Sequence, residues 1–240
     1  MTTKLINTPQ DLKERRQFGF RDDFDWLLSP HRWTSVLSDS GSAAVGSGTG
    51  GIAVLLPSDG TVADNDETYL RSTNPVFKFA NLKPLVAEIL LQFTEANTSA
   101  ANIVFGVTDQ SGTDLLADNG GGPASSYYGA LFFKTDGGTR WQCETSKGAA
   151  QTTTDLLNTN SLDRQTQTAG GSSYQRLTIE FIPHSSTEAE VLFSIDGIHV
   201  ATHQYTYTSA TAMYVVAGVK NGSANQETLN IDSIAAFQLR

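Results

Sequence analysis

The chain is poor in the residues that staple, span or grip. It has one cysteine, Cys143, in 240 residues, so no disulfide can close within it. A lone cysteine in an apolar-polar alternating run reads as a small buried side chain, not a reactive thiol. Basic residues are few: 16 Lys and Arg stand against 25 Asp and Glu, a net charge of −9. The one clustered basic run, Lys13-Glu14-Arg15-Arg16, carries its own acid. Nucleic-acid binding needs clustered cations that displace counterions, so direct contact with DNA or RNA is not expected. No stretch reaches the ~20 apolar residues of a membrane-spanning helix, and Met1 to Pro9 lacks the apolar core of a signal peptide. No membrane association is expected, and folding is expected in a cytoplasm. No glycine-rich phosphate loop precedes a helix, and no cofactor is expected.

What the chain has is period-two alternation, broken by short turns. Leu177, Ile179 and Phe181 alternate with Arg176, Thr178 and Glu180, and after a polar break Val191, Phe193 and Ile195 resume the pattern. Asp196-Gly197 then leads to a third run with Ile198, Val200 and Tyr205. Such alternation marks strands buried on one face, and Asp-Gly between apolar runs is a strong hairpin signal. Ala87, Ile89, Leu91 and Phe93 are the core-facing set of another strand. Further strands are read at Ile52 to Leu56, Thr68 to Ser72, Ile103 to Thr108, Tyr128 to Lys134, Thr139 to Thr145, Ala212 to Val219 and Leu229 to Leu239. Phe24, Trp26 and Leu27 are read as opening the first strand, with Trp33, Val36 and Leu37 after them. Gly41 to Gly51 is read as a flexible loop, residues 147–173 as a polar excursion, and Lys220-Asn221-Gly222 as a turn. With no composition break after residue 20, a dozen or more short strands predict one two-sheet antiparallel sandwich over residues 20–240.

Residues 1–19 differ. Thr8 is a candidate N-cap, Pro9 a first helical residue and Asp11 a first-turn acid, so the run to Phe18 reads as a short helix. So short a helix is marginal alone. It either lies on its own domain or is an arm docked on a neighbouring subunit. The arm reading makes Leu5, Ile6, Leu12, Arg15, Arg16 and Phe18 the candidate partner contacts.

Four passages in order resemble the concanavalin A-like jelly roll, the fold of legume lectins, laminin G-like modules and laminarinase-type glucanases. They are Asp22-Asp23-Phe24-Asp25-Trp26 with Trp33; Phe105-Gly106-Val107-Thr108-Asp109; Phe193-Ser194-Ile195-Asp196-Gly197-Ile198-His199-Val200; and Asn230-Ile231-Asp232-Ser233-Ile234. The resemblance implies an all-β jelly roll whose closing strand pairs with the first. It leaves function open, because the fold hosts lectins, enzymes and coat proteins alike. The acidic Thr/Ser/Gly-rich body behind a short polar arm is also similar to structural proteins of tailed-bacteriophage virions.

The glucanases of this fold carry Glu-x-Asp-x-(x)-Glu on one strand, which sets two carboxylates about 5 Å apart. No such run occurs. Glu88 stands alone among Leu90 and Gln92, and Glu188 and Glu190 are read as turn residues, so no catalytic residue is assigned. Asp64, Asp66 and Glu67, and separately Asp109, Asp114, Asp118 and Asn119, offer oxygen ligands of a Ca²⁺ type. Asp and Asn are equally the residues of solvated turns, and no metal site is assigned. His199 and His203, four apart on a strand, are read as sharing a face about 13 Å apart along it. Tyr127 or Tyr128 offers a sugar-stacking ring or a packed one. The expected function is that of a non-enzymatic virion structural protein, a capsid decoration or accessory protein held by its arm. Its partners would be other virion proteins and copies of itself, and its location the virion, assembled in the host cytoplasm. The alternative is a carbohydrate-binding, lectin-like module for surface adsorption.

Overall fold

The computed structural model describes residues 17–26, 30–48, 50–58, 60–156, 168–207 and 211–240. Among them sixteen strands form: β1 Gln17–Asp22, β2 Trp33–Leu37, β3 Ser40–Gly46, β4 Ile52–Ser58, β5 Glu67–Ser72, β6 Phe77–Lys78, β7 Leu85–Thr94, β8 Ala101–Thr108, β9 Tyr127–Lys134, β10 Gln142–Gly148, β11 Ala150–Asp155, β12 Gln175–Pro183, β13 Glu188–Ile195, β14 Ile198–Thr206, β15 Ala212–Asn221 and β16 Thr228–Leu239. The first sheet runs β14-β13-β12-β7-β16-β4-β3, with β1 also on β16; the second runs β11-β10-β9-β8-β15-β5-β2, with β6 also on β15. All of these pairings are antiparallel.

The alternating residues fill the space between the sheets. Leu177, Ile179, Phe181, Val191, Phe193, Ile195, Ala87, Ile89, Leu91 and Phe93 are all buried, as the period-two pattern predicts. Asp196 and Gly197 both take positive φ, 51° and 79°, the left-handed pair that matches strand twist in a two-residue hairpin. Aromatic rings bridge the layers: Phe79 stacks on Phe181 at 4.3 Å, and Phe132 meets Phe193 edge-on at 5.2 Å. Cys143 is fully buried in this core, and burial pushes its thiol pKa up.

The closing strand pairs with the first, residue 234 with 22 through 239 with 17. β4 takes residues 229–231 of the same strand, and a bulge between Ile231 and Ser233 marks the handover. This moves the start of the sandwich. Gln17 and Phe18, expected at the end of a helix, are extended in β1, so the boundary expected after residue 19 falls inside a strand. Tertiary packing decides it: the Phe18 ring stacks on Phe77 at 5.5 Å, and Phe20 meets Trp33 edge-on at 5.3 Å. The rest of the expected helix and arm, residues 1–16, lies outside the described residues.

Other readings shift as well. Phe24 is buried but sits outside any strand at φ 53°, and Trp26 is 82% exposed. The first part of the loop expected over Gly41 to Gly51 is instead the edge strand β3 (Ser40–Gly46), and Ala150–Asp155 supplies the edge strand β11. Lys220 and Asn221 end β15 instead of turning, and Glu188 and Glu190 lie on β13. Ile198 is 44% exposed at the hairpin end of β14, opposite Ile195, and β14 is bulged: Phe193 faces Ala201 while Ser194 faces His199, leaving Val200 over.

Candidate functional site

The outer face of the second sheet carries a second core. Tyr69, Val104, Tyr127, Leu131, Phe133 and Val216 point away from the first sheet, yet all are buried. Leu115 and Leu116, from the long β8–β9 loop (residues 109–126), cover them. That is why β8 is buried at every position, where a strand of a one-sided sheet would alternate.

The loop is tied down by charge. Lys220, at the end of β15, is 1% exposed at its side chain. Its ammonium reaches Glu67 Oε2 at 3.2 Å, Asp114 Oδ1 at 3.2 Å and Asp118 Oδ1 at 2.6 Å, and donates to the Leu116 carbonyl at 2.9 Å. Burial works against the charged ammonium, but the hydrogen bond to Asp118 and the charge of Glu67 outweigh it and raise its pKa. Glu67 is equally occupied. It accepts the Asp114 N–H through Oε1 at 2.7 Å and the Tyr69 hydroxyl through Oε2 at 2.7 Å, and that hydroxyl accepts the Leu116 N–H at 3.2 Å. Asn65 Oδ1 accepts the Asn119 N–H at 2.9 Å.

The two acidic loops that the sequence set apart are thus one site, and their shared cation is a lysine. Asp66 lies outside the ion cluster and accepts the Ala63 N–H at 2.7 Å. Asp109 accepts the Tyr128 N–H at 2.9 Å. Among the described residues, no group of three His, Cys, Asp or Glu is arranged to hold a metal ion.

A second carboxylate lies farther across the same face. Glu144 on β10 is buried and accepts hydrogen bonds from the Tyr127 hydroxyl at 3.0 Å, Gln151 Nε2 at 3.0 Å and the Thr153 hydroxyl. Burial raises its carboxyl pKa, and the Thr153 and Tyr127 hydrogen bonds pull against that rise. Tyr127 is therefore packed, 1% exposed. Glu88, on the outer face of the first sheet, pairs with Arg176.

The two strand histidines part company. The Val200 bulge turns His199 outward, where its Nε2 lies 3.0 Å from the Thr202 hydroxyl. His203 points inward, with Nδ1 3.0 Å from the Thr145 hydroxyl and Nε2 2.9 Å from that of Thr154. Burial pushes the His203 pKa down, which favours the neutral ring. Its partners come from two other strands, which no spacing in the sequence could reveal.

Of the candidate partner contacts, Leu5, Ile6, Leu12, Arg15 and Arg16 lie outside the described residues. Phe18 is half-buried in β1, with the Arg240 guanidinium 5.6 Å over its ring.

No family model matches the sequence, and no curated protein does. Solved structures do match in shape. The endo-1,3-beta-glucanase from Streptomyces sioyaensis superposes with a TM-score of 0.60 at 14% identity, over 93% of this chain and 97% of that one. The carbohydrate recognition domain of Emp47p gives 0.58 at 12%, over 91% and 94%. The legume lectin-like domain from Entamoeba histolytica gives 0.56 at 9%, over 88% and 96%. The fold is therefore the concanavalin A-like jelly-roll sandwich of lectins and glucanases, as the four sequence passages implied. At these identities the likeness extends to fold and no further.

Proposed function

We propose that the protein is a non-enzymatic structural subunit, a virion decoration or accessory protein whose jelly roll is the body. The observation that carries the non-enzymatic part is the closed outer face of the second sheet. Its centre is packed under residues 109–126, and its carboxylates are engaged: Glu67, Asp114 and Asp118 by Lys220, and Glu144 by Tyr127, Gln151 and Thr153. A retaining glycosidase needs two carboxylates facing an open cleft about 5 Å apart; here Glu67 and Glu144 are buried against their own chain, and the more exposed Asp114 and Asp118 are paired with Lys220. The virion part rests on the acidic Thr/Ser/Gly-rich composition and the polar segment before β1. Particles purified from the source of the chain are expected to carry it in regular copy number by mass spectrometry. The purified chain is expected to release no reducing sugar from β-1,3- or β-1,4-glucans. Absence from the particles would remove the virion role, and turnover abolished by Glu144→Gln would remove the non-enzymatic one.

The second reading, a glycan-binding module, is favoured by one feature. Trp26 is 82% exposed beside the exposed Asp25, and an open indole face with a polar neighbour suits sugar stacking. Binding on an oligosaccharide array that disappears in Trp26→Ala would favour it over the first.

A further inference from the structure

Leu82 is held in a place that costs the isolated chain twice. Its side chain is 78% exposed, and its backbone sits at φ 59°, the left-handed region that bulky residues avoid. It is the third residue of a tight turn closed by the Lys83 N–H on the Ala80 carbonyl at 3.2 Å. With positive φ, that position ordinarily goes to Gly or Asn. Strain of this kind persists only where the surroundings enforce it, and here they do. Gln238 on β16 is 2% exposed; its Oε1 accepts the Lys78 N–H at 2.9 Å, and its Nε2 donates to the carbonyls of Lys78 and Lys83, the latter at 3.0 Å. Phe79, stacked on Phe181, anchors the same loop from below. The result is a rigid turn that presents one leucine outward.

Its surroundings are cationic in an acidic molecule. Lys78 and Arg240 are exposed and Lys83 half-buried, and among the described residues none of the three makes an ion pair. Val76, 45% exposed before β6, and Phe237, 36% exposed on β16 next to Gln238, are the exposed large apolar side chains of the segments that flank the turn. On the neighbouring strand β13, Glu190 is paired to His184 from the β12–β13 turn and bonded to Gln204. The chain also enters β1 at this corner, Gln17 opposite Leu239. The remainder of the surface belongs to a chain of net charge −9, so this corner is complementary in sign to the body of its own kind.

We infer that the Leu82 turn is a self-association knob that docks, flanked by Lys78 and Lys83, on the acidic surface of a second copy. A knob on one region and an acceptor on another make a head-to-tail contact, which builds rings or open arrays instead of a closed pair. The inference deepens the structural-subunit reading, and its test in purified solution stands apart from incorporation into particles.

The test is sedimentation velocity of the full chain across nanomolar to high-micromolar concentration, with thermal unfolding in parallel. Wild type is expected to associate with concentration and to dissociate as salt rises. Leu82→Asn, which suits the left-handed backbone, is expected to weaken association at least about tenfold while melting at the same temperature or higher. Lys78→Glu with Lys83→Glu is expected to weaken it as well, and this pair keeps the decision clear should Leu82→Asn lower the melting point. A wild type that stays monomeric throughout overturns the inference. So does association that survives both the Leu82 change and the double charge reversal.

Discussion

Gly218 stands opposite Tyr69 on adjacent strands, and the tyrosine ring occupies the space where a side chain at 218 would begin. A Cβ there would lie 1.9 Å from Tyr69 Cδ1. The missing side chain lets the ring lie flat on the sheet and aim its hydroxyl at Glu67 Oε2 and the Leu116 N–H. A glycine on β15 thus sets the geometry that holds the 109–126 loop.

Gly218→Ala is accordingly expected to displace the ring and loosen the loop. Overpacking of this kind costs about 1–3 kcal/mol, read as a lower melting temperature. Faster amide exchange should be confined to residues 109–126 and their contacts. Unchanged exchange in that loop would show that the Tyr69 ring does not hold it.

Lys220→Met should be more damaging. It leaves Glu67, 2% exposed, without its counter-charge beside Asp114 and Asp118. Removing one partner of a buried ion pair costs about 3–5 kcal/mol. Urea unfolding of the variant measures the loss directly, and a loss below about 1 kcal/mol, the worth of a surface pair, would place the cluster in solvent.

Phe193→Ala is expected to cost about 3–5 kcal/mol by emptying an aromatic-sized site between the sheets. The ring is fully buried against Phe132 and His203. The comparison with Phe237→Ala is informative. Phe237 is 36% exposed, so its loss should cost clearly less in the same unfolding experiment.

A pH dependence centres on Glu227. Its pKa is raised to about 7, first by burial and further by the charge of Glu95, against the Ala96 N–H and Lys134. An acid whose folded pKa is raised stabilises the fold below its unfolded value and loses that contribution as pH climbs through the folded one. Between pH about 4.5 and about 7 the unfolded chain ionises here while the folded chain does not, and stability falls by up to about 1.4 kcal/mol per pH unit. Glu227→Gln should remove this slope. Melting curves of the two proteins should converge near pH 4 and separate in favour of the variant near pH 8; parallel curves would exclude Glu227 as the source.

The sequence showed the body of the fold because alternation and turn chemistry are local. Leu177 to Phe181, Val191 to Ile195 and Asp196-Gly197 name their strands and hairpin within a few residues of themselves. β3 was hidden for the opposite reason. Ser40–Gly46 lies at a sheet edge, buries little, and so carries no apolar alternation to read. The Val200 bulge inserts one residue and reverses the face of His199, a change that no spacing rule registers. At the candidate site, the acidic loops were visible as composition. Their meeting at Lys220 joins three separated segments, and only the folded sheet brings those together. Leu82 and Gln238 gave no signal, since a strained turn and its buried amide clamp are defined by long-range contact.

The handover on β16 bears on the order of events when the chain is made. This strand pairs with β7, β4 and β1, yet it is synthesised after all three. At ~5–20 residues per second, residue 22 waits on the order of 10–40 s for residue 234. Until then the early strands of the first sheet hold apolar faces and open edges without their central partner. Such edges invite pairing with other chains, and nascent copies emerging side by side on one messenger are the nearest chains available. Loss of residues 234–239 would leave β1 without its ladder, so a chain interrupted before Ile234 cannot close this side of the sandwich.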